Sequence, residues 1–104
     1  MDIIHLTNLT CKGKIKIAID SNDEFEQLIK DSHTLQFKLM VKRGNESQLK
    51  DLAILNYSKD EKHYEYNDIL VKNNTSYKYS IKLINSSNED TVDEQTIITS
   101  FKYN

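Results

Sequence analysis

The side chains able to do chemistry in this chain are three histidines, one cysteine, an acidic run and six tyrosines. His5, His33 and His63 lie far apart, with none of the paired spacings that bring two imidazoles to one metal. They read as surface or boundary residues. Cys11 has no histidine beside it and no helix start to lower its pKa, so it reads as a small, partly buried residue rather than a nucleophile. A single cysteine also excludes an internal disulfide and a cysteine-rich zinc site. Glu89, Asp90, Asp93 and Glu94, next to Asn88, offer the oxygen ligands that calcium favours. The run lacks the spacing and the glycine of a helix-loop-helix calcium loop, and a solvated loop is the better reading. Tyr57, Tyr64, Tyr66, Tyr77, Tyr79 and Tyr103 stand in a chain without tryptophan. Exposed, they would suit a protein interface or stack on sugars; inward, they would fill the core and its corners. Nowhere does a nucleophile stand with a base, or a carboxylate with a partner carboxylate, in a recognisable catalytic pattern. The expectation is a non-enzymatic protein with no metal and no cofactor.

These residues must be positioned by one domain, 1–104, since 104 residues supply one core. A charged fraction of 29% beside a hydrophobic fraction of 38% places the chain among globular proteins rather than disordered ones. The net charge of -2, with both signs interspersed, argues against nucleic acid as the partner. No stretch approaches the roughly 20 apolar residues of a membrane span, so no membrane partner is expected. The opening MDIIHLTNLTCKGK has an acidic second residue and no long apolar run, and does not read as a signal peptide. With 2 Gly and no Pro, turns fall to Asn, Asp and Ser.

Apolar residues alternate with polar ones through most of the chain, the pattern of half-buried strands. Strands are predicted over 2–10, 14–19, 35–41, 49–57 (an edge strand), 64–71, 76–83 and 91–103. Phe25, Leu28 and Ile29 break the alternation with helical spacing after Ser21-Asn22-Asp23-Glu24. That run fits a capping box, with Ser21 as N-cap and Glu24 at the third helical position, and predicts one or two helical turns. Turns and loops are predicted at 42–47, 58–62 and 85–90. About seven strands with one short helix make an all-β sandwich.

The stretch ILVKNNTSYKYSIKLIN, residues 69–85, carries a resemblance. Val71, Asn73, Thr75, Tyr77, Tyr79 and Ile81 stand at the spacing of the fibronectin type III signature. The resemblance implies an immunoglobulin-like, fibronectin type III-like sandwich in which Tyr77 is the corner tyrosine. Asn73 replaces the corner proline, and the tryptophan common in those modules is missing. Over roughly residues 35–104 the chain resembles sandwich modules of tail and baseplate proteins of bacteriophages of low-G+C Gram-positive hosts. Tyr66, Asp68, Val71, Asn73, Tyr77, Tyr79 and Ile81 stand at the matching places. This implies a virion protein, assembled in the host cytoplasm, whose partners are other virion proteins or copies of itself. A host-surface glycan is the alternative partner. The expected contact residues are Arg43 and Asn45 in the first turn, His63 and Tyr64 at the second loop, and Asn88 and Asp90 at the third.

Overall fold

The computed structural model describes residues 3–9, 13–32, 36–84 and 89–100. Seven strands and one helix follow in the order β1 (Ile4–Leu9), β2 (Lys14–Asp20), α1 (Asp23–Ser32), β3 (Gln36–Arg43), β4 (Lys50–Asn56), β5 (His63–Asp68), β6 (Ser76–Ile84) and β7 (Glu89–Ile98). Two antiparallel sheets form, one ordered β1-β2-β5 and the other β4-β3-β6-β7. The all-β sandwich with one short helix is therefore the architecture of the chain.

The alternation assigns the faces. Ile15, Ile17 and Ile19 of β2, with Ile4 and Tyr64 beside them, form the inner face of the three-stranded sheet. Phe37, Leu39 and Val41 of β3 and Tyr77, Tyr79, Ile81 and Leu83 of β6 face them from the four-stranded sheet. The intervening lysines lie outside. Burial of these apolar surfaces, at roughly 25 cal/mol per Å², is the main driving term of the fold.

Helix α1 crosses from one sheet to the other and plugs one end of the sandwich with Phe25 and Ile29. Phe25 meets Phe37 edge-on at 5.8 Å, and Phe37 meets Tyr64 edge-on at 5.1 Å. Three aromatic rings thus join the helix to both sheets, in the edge-to-face geometry their quadrupoles favour.

The helix departs from the sequence expectation in two ways. It runs for 10 residues rather than one or two turns. Its N-cap is Asn22, not Ser21: the Asn22 Oδ1 accepts the Phe25 N–H at 2.8 Å. Ser21 instead donates its hydroxyl to Glu26 at 2.7 Å, which draws it away from the backbone. Strand β5 ends at Asp68 rather than reaching Val71, and β7 at Ile98; Tyr103 lies outside the described residues, as do Cys11, His33 and Asn88.

The four-stranded sheet is irregular at two places. Leu39 pairs Ala53 while Met40 pairs Asp51, leaving Leu52 as an extra residue on β4. Ile81 pairs Asp93 while Lys82 pairs Thr91, leaving Val92 extra on β7. The second bulge re-aims its neighbourhood: Asp93 Oδ2 accepts the N–H groups of Ile4 at 2.9 Å and Ile3 at 3.1 Å. This carboxylate joins the two sheets along the β1/β7 side.

Candidate functional site

Two polar residues at strand ends stand where the alternation calls for apolar ones, and they meet between the sheets. Asp68 continues the inward positions of Tyr64 and Tyr66 on β5, and Arg43 continues those of Phe37, Leu39 and Val41 on β3. Tyr79 points inward from β6. The three strands aim these groups at one point between the sheets. Arg43 Nη1 and Nη2 donate to the two Asp68 oxygens at 2.7 and 3.0 Å, a bidentate pair, and the Asp68 side chain is 1% exposed. Tyr79 donates its hydroxyl to Asp68 Oδ2 at 2.7 Å. The Leu70 N–H donates to Asp68 Oδ1 at 3.1 Å, and Arg43 Nη1 also donates to the Leu70 carbonyl at 2.6 Å. The guanidinium lies over the Tyr77 ring, 5.9 Å from its centroid.

Tyr77 completes this corner. Its ring is buried and stacks on Tyr79 at 6.5 Å, and its hydroxyl accepts the Lys72 N–H at 2.6 Å, five residues upstream. The polar knot 72–75 is stitched to the end of β7 by Thr99. The Thr99 hydroxyl accepts the Thr75 N–H at 2.9 Å and donates to the Lys72 carbonyl at 2.6 Å. Asn74 takes φ +54°, the left-handed conformation that Asn tolerates better than most residues. Replacing Tyr77 by Phe removes the acceptor of a partly buried N–H and is expected to cost about 1–2 kcal/mol, read as a lower urea midpoint at unchanged m-value.

A second polar cluster holds the helix end. Glu26 accepts hydrogen bonds from Ser21 (2.7 Å), from Lys62 (2.7 Å) and from the Tyr57 hydroxyl. Partial burial pushes the Glu26 carboxyl up, but the hydrogen bonds of Lys62, Tyr57 and Ser21 outweigh it and hold the pKa at about 2. The same bond to Glu26, aided by burial, pushes the Tyr57 phenol up to about 12. A carboxylate depressed on folding stabilises the protein above its ordinary pKa of 4.5, and that stability is lost as pH falls towards 2. Unfolding titrations should therefore lose about 1–2 kcal/mol through this group over that window, after screening at the exposed Lys62. Glu26→Gln should flatten the acid limb by that amount.

The outer face of β1-β2-β5 brings together groups that the sequence scatters. Asp20 meets His63 Nδ1 at 2.5 Å and His5 Nε2 at 3.2 Å. Glu65 meets His63 Nε2 at 2.9 Å and Lys16 at 3.1 Å. Hydrogen bonding to Asp20 and then Glu65 raises the His63 pKa above its ordinary value. The pairs lie along the surface, and among the described residues no set of three His, Cys, Asp or Glu converges to hold a metal. The acidic run divides similarly. Asp93 turns inward to β1, while Glu94, next in the strand, turns outward to Lys78 at 2.9 Å.

The expected contact residues do not form one surface. Arg43 and Asn45 sit at the end where β5 leaves and β6 begins; His63 and Tyr64 sit at the helix end. Arg43 is consumed by Asp68. Tyr64 is in the core, with its hydroxyl accepting the Ser58 N–H at 3.0 Å and donating to the Ser58 carbonyl at 3.1 Å, which pins the 58–62 loop. Asn45 and His63 are exposed. Asn88 and the Asp90 side chain lie outside the described residues, while the Asp90 backbone pairs with Leu83. Asn45, Glu46, Leu70, Lys72 and Thr75 rim a cleft of about 320 Å³ against Tyr77.

Arg43 holds its proton more firmly than usual, because the hydrogen bonds and charge of Asp68 outweigh the cost of burial. Tyr79 likewise has its pKa raised far above the phenol range by burial and by its bond to Asp68. Groups displaced this far from neutrality hold geometry rather than exchange protons at pH 7. No protein-family model matches the chain, and no curated protein matches it.

Proposed function

We propose that the chain is a non-enzymatic structural module that works by protein–protein assembly. The carrying observation is how its polar side chains are used. Asp68, Arg43, Tyr79 and Tyr77 fasten one end of the sandwich, and Glu26, Tyr57, Lys62 and Tyr64 the other. Such internal clamps suit a rigid building block. We further propose a fibronectin type III-like identity and a place in a bacteriophage tail or baseplate, assembled in the host cytoplasm. The support is the motif from Tyr66 to Ile81, whose Tyr77 hydroxyl engages the backbone upstream.

A glycan-binding module would need exposed aromatic rings close together. Among the described residues Tyr64, Tyr77 and Tyr79 are buried and Tyr57 and Tyr66 are half-buried, which favours assembly over sugar stacking. Light scattering on the purified chain across a concentration series tests the proposal. A defined oligomer, or one formed on adding virion proteins, supports it. A monomer under both conditions overturns it.

A further inference from the structure

We propose that β4 pairs antiparallel with β4 of a second copy, about a two-fold axis through Ile54. The pairing deepens the assembly function proposed above and rests on it. A sandwich of open sheets has four strand margins, and three of these are guarded. Along the β1/β7 side the Asp93 carboxylate ties the two margins together. The outer face of the β5 margin carries the charged ladder of His63 and Glu65 with Asp20 and Lys16. Strand β4 is hydrogen-bonded to β3 on one side and, among the described residues, to no strand on the other. An unpaired row of backbone donors and acceptors is a template for another strand.

The residues of β4 narrow what can dock. Its first half holds Lys50, Asp51 and the extra residue Leu52, which disturb a regular ladder. From Ala53 to Asn56 the pairing is regular and no residue is charged. Within this window Ile54 points to the outer face and is 56% exposed. Residues opposite one another in an antiparallel pair share a face, so the axis must pass through a residue rather than between two. An axis at Ile54 places Ile54 against its own copy and Ala53 against Leu55 of the second copy on the inner face, with the bulge residue Leu52 reached only beyond them, opposite Asn56. An axis at Ala53 would set Asp51 against Leu55 and the bulge residue Leu52 against Ile54, directly beside the axis. An axis at Leu55 would leave Ile54 facing Asn56. Residues 53–55 are thus their own complement, uncharged, matched in parity and with the exposed apolar residue on the axis, and a second copy is the occupant they fit. Even the whole seven-residue strand, of which only the second half forms a regular ladder, would bury less than the roughly 800 Å² per partner of a standard interface. The contact is accordingly weak in free solution and gains from neighbours that hold copies side by side.

Directly opposed residues in such a pair have Cα atoms about 4.5–5.5 Å apart, within disulfide reach. The test is I54C in the full chain with Cys11→Ser, under mild oxidation, compared with Ile98→Cys in the same background. Ile98 is 69% exposed on β7, at the far margin of the same sheet. Selective pairing predicts that I54C forms covalent dimers about tenfold faster than I98C, because pairing raises the local thiol concentration. Equal rates, with light scattering showing assembly of the natural chain, overturn the β4 pairing and leave the assembly function standing. Equal rates with a monomer throughout overturn both.

Discussion

Replacing Asp68 by Ala is expected to cost about 3–5 kcal/mol, the largest loss available from one polar side chain of this protein. The carboxylate is buried and serves four donors: two from Arg43, one from Tyr79 and one from the Leu70 backbone. Its removal strands a guanidinium whose side chain is only 22% exposed, together with a buried hydroxyl. Against a total stability of about 5–15 kcal/mol, this is enough to bring a marginal domain near unfolding at body temperature. Urea unfolding of the variant gives the number. The double replacement Arg43→Met with Asp68→Leu is expected to recover most of the loss, because it removes both buried charges at similar volume. If D68A costs less than 1 kcal/mol, the corner is held by packing alone and the clamp is ornamental.

Phe37→Ala is expected to cost about 3–5 kcal/mol, by loss of buried apolar area and by the cavity left behind. Phe37 is fully buried and is the middle of the three-ring chain from α1 through β3 to β5. The cavity would therefore open where the helix and both sheets meet. Amide exchange should rise first in α1 and at the start of β5, ahead of the centre of β6. Phe37→Leu, which keeps most of the volume, should cost less than half as much. Uniform acceleration across all strands would show that the helix unfolds only with the whole sandwich.

How far these features could be read beforehand depends on which property decides them. Strand identity and face follow from side-chain parity, and parity is written directly into runs such as Lys14–Ile19 and Tyr77–Leu83. The Arg43–Asp68 clamp is missed by a local reading, in which Arg43 is a contact residue of the 42–47 turn, although the same parity marks it. Both residues keep the inward parity of their strands, but Arg43 stands where the turn begins, and which charges pair across the two sheets depends on tertiary packing. The helix cap slipped by one position because Ser21 and Asn22 are both good caps, and what decides between them is the bond of Ser21 to Glu26, a carboxylate also held by Lys62 and Tyr57 from distant segments. Strand β5 ended early for a related reason. Ile69 and Leu70 look like a continuing strand, yet the Leu70 backbone is already committed to Asp68 and Arg43. The joining of His5 and His63 at Asp20 needs the register of three strands, which no local pattern supplies. The two ends of the sandwich are a property of strand direction, so loops that seem alike in composition came to lie at opposite poles.

The bond between Asp93 and the amides of Ile3 and Ile4 also sets an order of events. It spans 90 and 89 positions of sequence, almost the whole chain. Contacts of such separation close the largest loops and carry the greatest entropic delay. During synthesis β1 leaves the ribosome before β7, yet its contacts are completed only once β7 has been made. Its leading amides wait for a carboxylate made some 90 residues later, and until then β2 alone must shelter it.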